Sequence, residues 1–303
     1  MSFFSLYSAI LRGKWFVALR DVETHQIVID NLLNKSADSI DQTKLSDRQP
    51  IEILCTTELG MASSKNFSDA PAGSIAVIPL RGSMLKYGTY CSYGTTEIAD
   101  MVNEAAESSK ITGIVLDIDS GGGSVDAIAP MVQAIKNAQS KGKPVVACCD
   151  LCASAAYYVA CYCDEIMAAN SISSEIGSIG VMMSFMDYAK YYEKEGVTQH
   201  TIYSTLSTYK NGPFESAKKG EYDQIKAEEL DPLARKFQEA VKHQRGGRLD
   251  QAVEGIIAGR MFFADDAKKN GLIDSVGTLE TAVKRTKEIR RDAEINEYIN
   301  SKS

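Results

Sequence analysis

Histidine is scarce in this chain. His25, His200 and His243 are the three present among 303 residues, and none falls in a motif-like context. A Ser-His-Asp triad is therefore unsupported, and the Gly-x-Ser-x-Gly elbow that would carry one is absent. The Gly-Lys-Ser/Thr ending of a phosphate-binding loop is also missing. Long apolar runs are lacking as well. The opening MSFFSLYSAILRGKWFVALR holds an apolar run of about nine residues, too short to span a bilayer. Its basic residues follow the run, the reverse of a secretory signal, and no later window reaches the ~18 apolar residues of a membrane helix. The expectation is a chain with no membrane anchor. An excess of positive charge is absent too: Lys and Arg total 33 against 40 Asp and Glu, for a net charge of −7 and a pI near 5.2. Nucleic acid is not an expected partner, because phosphate binding needs a basic face.

What is present is ordinary in amount and specific in arrangement. Apolar residues make up 44% and charged residues 24%, which fits a globular chain, and the length allows one sizeable core with an appendage. Five of the seven cysteines fall within CCDLCASAAYYVACYCDEI, from Cys148 to Cys163. No histidine lies nearby and the run reads as strand then helix, so no metal is expected and the cysteines read as small hydrophobes in a reducing compartment. Residues 1–35 carry mixed helical periodicity, and residues 36–72 are polar and Ser/Asp-rich, as in a linker. The chain is thus divided into an N-terminal helical arm and linker over residues 1–72, a catalytic domain over 73–290 and a charged tail over 291–303.

From residue 73 onward, strand-like and helix-like patterns alternate. SIAVIPL, ITGIVLDID, PVVACCDL and DEIMAAN read as strands. TTEIADMVNEAAES, AIAPMVQAIKNAQSKGK and ASAAYYVACYC read as helices. The near-continuous apolar character of ITGIVLDID is that of a strand buried on both faces. Strand, helix, strand, helix in this order predicts an α/β domain with a mainly parallel sheet.

Two spots fall at the carboxyl ends of consecutive strands, where open α/β sheets place their sites. The first is IDSGGGSV, whose adjacent glycines Gly121, Gly122 and Gly123 allow close backbone approach and exposed N–H groups. Read alone, it is equally a flexible turn. The second is Ser154, at the junction of a strand and a helix, which reads either as an N-cap or as a nucleophile beside the positive helix end. Without a histidine base the remaining candidate is a lysine, which accepts a proton once desolvation lowers its pKa. Lys210, in YSTLSTYKNGPF after a polar strand-like stretch, stands out, although a lysine at a turn is ordinarily solvated.

The ordered blocks IDSGGGSV, ASAAYYVA, EIGSIGVM, STYKNGPF and IIAGRMFFADDAKKNGLIDSVGTLETAVKRT resemble the signal-peptide-peptidase A family of serine-lysine peptidases. The resemblance runs from about Ile75 to Lys287 and implies the Clp protease/crotonase fold, built of ββα units around a mainly parallel sheet. It implies Ser154 as nucleophile, Lys210 as general base, and Gly123 with Gly122 and the N–H of Ala155 as the oxyanion hole, with Ser178 as a candidate to orient the lysine. Membrane-anchored members show Ser-Pro-Gly-Gly in the first block and Gly-Gly after the serine, whereas this chain has Ser120-Gly121-Gly122-Gly123 and Ala155-Ala156. The Ala-Ala variant and the opening segment look more like the phage and prophage prohead-protease branch, which cuts scaffold and head proteins.

The implied activity is a serine endopeptidase without cofactor or metal. Its implied partners are a polypeptide substrate such as a scaffold, capsid or portal protein, and further copies of itself in a cyclic homo-oligomer. The implied place is the cytoplasm of a bacterial host cell or the phage procapsid. Peptide degradation of the signal-peptide-peptidase kind, a crotonase-type acyl-CoA enzyme and an inactive assembly subunit stay open as alternatives. The segment VMMSFMDYAKYY reads as core or subunit contact.

Overall fold

The structure, a computed structural model, describes residues 15–17, 53–57, 60–64, 67–88, 92–185 and 187–302, the first three segments as backbone strands. Strand β1 is Trp15–Val17, β2 Ile53–Thr57, β3 Gly60–Ser64 and β4 Ser74–Arg81. Helix α1 (Thr95–Glu107) leads to β5 (Ile111–Ser120), the short β6 (Gly122–Ser124) and helix α2 (Ile128–Ser140). Then come β7 (Val145–Ala153), helix α3 (Ala155–Ala160), β8 (Glu165–Ala168) and β9 (Glu175–Gly177).

The main sheet runs β10-β9-β7-β5-β4-β2-β3, with β8 pairing to β7 and β11 to β8. Here β10 is Met261–Phe263 and β11 is Ser275–Val276. Strands β4, β5, β7, β8 and β9 pair in parallel, as does β11 on β8, while β2, β3 and β10 join antiparallel. The expected mainly parallel α/β sheet is what forms. Its central strands are apolar nearly throughout because both faces are covered. Ile98, Val102 and Ala105 of α1, with Met131, Ile135 and Ala138 of α2, fill one face. On the other face Ile75, Val77, Val115 and Val146 meet Ala282 and Val283 of the C-terminal helix Leu279–Lys302.

The sequence boundaries at 73 and 290 both fall inside continuous structure. Strands β2 and β3 lie within the stretch read as linker, yet β2 pairs with β4 through Leu54, Cys55 and Thr56. Their polar neighbours hid them: β2 is only five residues long between polar stretches, and β3, at the edge of the sheet, tolerates the polar residues of GMASS. The C-terminal helix runs through residue 290 because no Gly or Pro interrupts it, with residues 291–302 exposed. Most of the expected N-terminal helical arm lies outside the described residues. The part that is described, Trp15–Val17, is a strand and not a helix; three apolar residues of high β-propensity outweigh a weak helical period once a partner edge is available.

A buried ion pair fixes the C-terminal part of the chain to the sheet. Arg245, 3% exposed at the end of helix Asp231–Arg245, binds Asp274 through both guanidinium nitrogens at 2.9 and 3.0 Å and donates from Nε to the Gly271 carbonyl at 2.8 Å. Asp274 also accepts from the Ile166 N–H at 2.8 Å and from Arg248 at 2.9 Å, which ties the pair to β8. Tyr157 of α3, fully buried, donates to the Leu272 carbonyl at 2.7 Å. Burial by itself would raise the Asp274 pKa, but the hydrogen bonds from Arg245 and Ile166 outweigh it and hold the carboxyl below its ordinary 3.8.

Removing Asp274 leaves the Arg245 charge buried and unmatched, which costs about 3–5 kcal/mol, whereas removing Arg245 leaves Asp274 still paired with Arg248. Asp274→Ala is expected to lower urea stability by that amount and Arg245→Met by less, while Lys284→Ala, in a pair exposed to solvent, shifts it by less than about 1 kcal/mol. Because the folded pKa of Asp274 is depressed, its stabilisation is complete above pH 3.8 and is lost as the pH falls through the lower folded value. The Asp274→Ala protein should therefore lose less stability than wild type between pH 5 and 2, a range of about three units around that carboxylate titration. An unchanged urea midpoint in both variants would refute the anchoring role.

Candidate active site

Three neighbouring strands end side by side, and the site is built from the residues immediately after each of them. In the parallel register Ser120 at the end of β5 is opposite Cys152 of β7, and Ala153 of β7 is opposite Gly177 of β9. The glycine turn therefore begins one residue beyond β5, Ser154 stands one residue beyond β7, and Ser178 one residue beyond β9. Ser154, Ala155, Gly122, Gly123 and Ser178 are thus brought to one end of the sheet.

Ser154 has φ 56° and ψ −116°, a conformation that L-residues other than glycine seldom adopt. Its N–H donates to the Gly177 carbonyl at 2.8 Å, and its own carbonyl accepts from the Tyr158 N–H at 2.9 Å, so the peptide groups on both sides are held. The side chain does not cap the helix. Among the described residues the Ser154 hydroxyl has no hydrogen-bond partner, although the residue is only 1% exposed. The N-cap reading therefore falls: the chain bends sharply to turn this hydroxyl out of strand and helix alike, and it leaves the first N–H groups of α3 without partners inside the helix.

The glycine turn is shaped by close backbone approach. The Met84 N–H donates to the Gly122 carbonyl at 2.8 Å, and the Met84 carbonyl accepts from the Ser124 N–H at 2.9 Å. A Cβ on Gly123 would run into the Met84 backbone, and Gly122 has φ +99°, so glycine is required at both positions. Ser120 stiffens the turn by donating to the Gly82 carbonyl at 2.6 Å and accepting from the Gly122 N–H at 3.1 Å. That N–H is thereby engaged inside the turn.

Lys210 is placed elsewhere. It lies in the segment between helices Ala189–Lys194 and Gly212–Lys218, where no strand forms, so the expected strand-like approach to the lysine is replaced by turns. The side chain is exposed and makes no hydrogen bond or ion pair among the described residues. Apolar neighbours are exposed with it: Ile202 is 92%, Leu206 93% and Tyr209 78% accessible, and Tyr191 and Tyr192 of VMMSFMDYAKYY also face outward. The core alternative for that segment is thereby excluded for its described tyrosines.

Beside the turn lies an apolar groove of about 380 Å³ between α2, α3 and helix Asp231–Arg245. Val125, two residues after Gly123, and Tyr158, one helical turn after Ser154, share its wall with Tyr162, Leu233 and Phe237, with Lys136 and Lys236 also lining it. Tyr158 packs on Phe237 at 5.1 Å and stacks with Tyr162 at 5.7 Å between ring centroids. The thiols of the Cys148–Cys163 run lie inward. Burial pushes Cys148 and Cys161 up to about 12, and raises Cys149 well above its ordinary range.

Two parts of this arrangement were missed in the sequence: the forced backbone at Ser154, and the strand Trp15–Val17 paired to the glycine turn. The first leaves no compositional trace. For the second, the Trp-Phe-Val triplet was a weak local signal.

The conformation of Ser154 carries its own test. Strain of this kind costs about 1–3 kcal/mol for a non-glycine residue, while glycine loses part of the relief through its freer unfolded chain. Ser154→Gly is expected to be more stable to urea than Ser154→Ala by about 1 kcal/mol. Equal midpoints, or a weaker glycine variant, would show that the residue is not strained.

Residues 137–293 match the profile of peptidase family S49, a span that starts in α2 just after the glycine turn and contains Ser154, Ser178 and Lys210. The chain is 32% identical to the chloroplastic serine protease SPPA of Arabidopsis thaliana, over 69% of this chain and 31% of that protein. It is also 32% identical to the head-tail preconnector protein GP5 of Enterobacteria phage P21, over 69% of this chain and 42% of that one. It therefore spans less than half the length of either relative. Among solved structures it is similar to the membrane-bound stomatin-specific protease 1510-N, with 17% identity, a TM-score of 0.47 and coverage of 72% of this chain and 85% of that one. With just over half of its residues inside the profile and two relatives above 30% identity, the chain belongs to peptidase family S49.

Proposed function

We propose that this protein is a serine endopeptidase in which Ser154 is the nucleophile and Lys210 the general base. The observation that carries the reading is the forced backbone of Ser154, which presents an unpartnered hydroxyl between a glycine turn and a helix start. Strain held at a strand end by hydrogen bonds on both sides is a mark of function more than of packing. In the reaction the neutral Lys210 amine takes the hydroxyl proton as Ser154 Oγ bonds to the peptide carbonyl carbon. The carbonyl oxygen becomes an oxyanion held by the N–H groups of Gly123 and Ala155, with Gly122 shaping the turn. The amine leaves with the proton from the Lys210 ammonium, and water then hydrolyses the acyl-enzyme. Ser178 is the candidate to orient the lysine, and the groove beside Val125 and Tyr158 is the candidate site for a substrate side chain, being of the size and apolar character such pockets have.

Because Lys210 is exposed on a segment with outward-facing Ile202, Leu206 and Tyr209, the reading is completed by a second copy. Contiguous exposed apolar residues mark interaction surfaces, and a cyclic homo-oligomer would bury them while delivering Lys210 to the Ser154 of a neighbour. Similarity to the phage preconnector protein favours head or scaffold proteins as substrates. If that role is right, the purified protein cleaves the head or scaffold protein encoded beside it, and Ser154→Ala does not.

Ser154→Ala and Lys210→Ala are each expected to lower casein cleavage by at least about a thousandfold, since each removes half of one proton-transfer unit. A folded Ser154→Ala protein cutting at the wild-type rate would remove the nucleophile. Mixing the two inactive variants under subunit exchange should restore activity in the sites that regain both groups. Demonstrated exchange with no activity would place both groups of each site in one chain.

A further inference from the structure

Strand β1 occupies an unexpected place. Trp15–Val17 lies antiparallel on β6, the strand made by the glycine turn itself, with Trp15 opposite Ser124, Phe16 opposite Gly123 and Val17 opposite Gly122. Among the described residues this pair forms a two-stranded sheet of its own, apart from the main sheet. The other flank of β6 is already taken by Met84, through the Gly122 carbonyl and the Ser124 N–H. Adjacent residues of a strand turn their backbone polar groups to opposite sides, so those of Gly123 are directed to the flank where Phe16 lies. Strand β1 also packs against α3, the helix that begins directly after Ser154.

An extended segment on the free flank of the glycine turn, against the helix just past the nucleophile, has the placement of a polypeptide bound by strand addition. We infer that Trp15–Val17 is a substrate-like strand, supplied by the chain itself, that fills the edge where a polypeptide substrate docks and must be displaced before one can bind. This rests on the proposed roles of Ser154 and Gly123. Being part of the same chain raises the local concentration of the occupant without any new contact. A contact of three residues nonetheless remains easy to open. Recognition of this kind reads main chain, so any extended segment able to offer the same backbone groups competes for the edge.

The test uses the full-length chain. Proline at position 16 removes the N–H that faces the turn and is poorly tolerated in a paired strand. Labelling of Ser154 by a fluorophosphonate is expected to be about tenfold faster in Phe16→Pro than in wild type, as for a site that is free about a tenth of the time when the strand is present. Exchange of the Gly123 amide with deuterium should rise in parallel. Far-UV circular dichroism and the urea midpoint establish that the variant is folded. A measurement without substitution guards against its failing to fold. Trp15 is the chain's one tryptophan, and quenching of its fluorescence by iodide should increase when wild type is labelled with a bulky fluorophosphonate and stay constant when Ser154→Ala is given the same reagent. Equal labelling rates with Gly123 exchange accelerated would show the edge to be vacated without consequence and would overturn this inference alone. Unchanged Gly123 exchange and unchanged quenching would overturn the pairing itself. No labelling of Ser154 in any form would sink the nucleophile assignment and this inference with it.

Discussion

The site depends on one backbone torsion. Strand β7 ends at Ala153 and α3 begins at Ala155, and the single residue between them makes the change of direction with a positive φ. That torsion persists because the Ser154 N–H is committed to Gly177 and the Ser154 carbonyl to Tyr158. Both partners are fixed in turn: Gly177 is the last residue of β9, paired to both β7 and β10, and Tyr158 sits in a helix whose neighbour Tyr157 is bonded to the Leu272 carbonyl. Local strain is thus spread over parallel strands, a helix and the C-terminal segment that Arg245 and Asp274 hold in place.

The same end of the sheet shows how little of such a site need be side chain. The glycine turn is set by Met84, Gly82 and Ser120 through hydrogen bonds to main chain. Main-chain donors are stiff and already oriented, and a rigid donor costs no reorganisation when charge develops on a substrate oxygen. The exposed segment around Lys210 is the opposite case. It carries large apolar side chains in solvent, and turns in place of a strand hold its backbone.

How much of this was legible in the sequence depended on the range of the interactions. Strands β4, β5 and β7 were readable because burial on both faces imposes an unbroken apolar run, and α1 and α2 because one buried face imposes a period. The positions of Ser154 and Gly123 at strand ends followed from that alternation. The torsion at Ser154 did not, since nothing in Cys-Ala-Ser-Ala-Ala distinguishes a cap from a bend. Nor did the pairing of Arg245 with Asp274, 29 residues apart, because an ion pair across that distance has no local signature. Strands β2 and β3 were hidden by their composition, and β1 by a helical period too weak to outlast an available edge.

The thiols beneath the site have a practical side. Cys148, Cys149 and Cys152 line β7 almost to Ser154, and Cys161 closes the helix behind it. In an open cleft such sulfur atoms would rival a hydroxyl for any electrophile, since thiolates are far stronger nucleophiles than alcohols. Here their backs are turned and, for Cys148, Cys149 and Cys161, their protons retained. Reaction of an electrophile with these sulfurs would need both a route to a buried atom and loss of its proton, so their burial and not their intrinsic nucleophilicity sets what they can do.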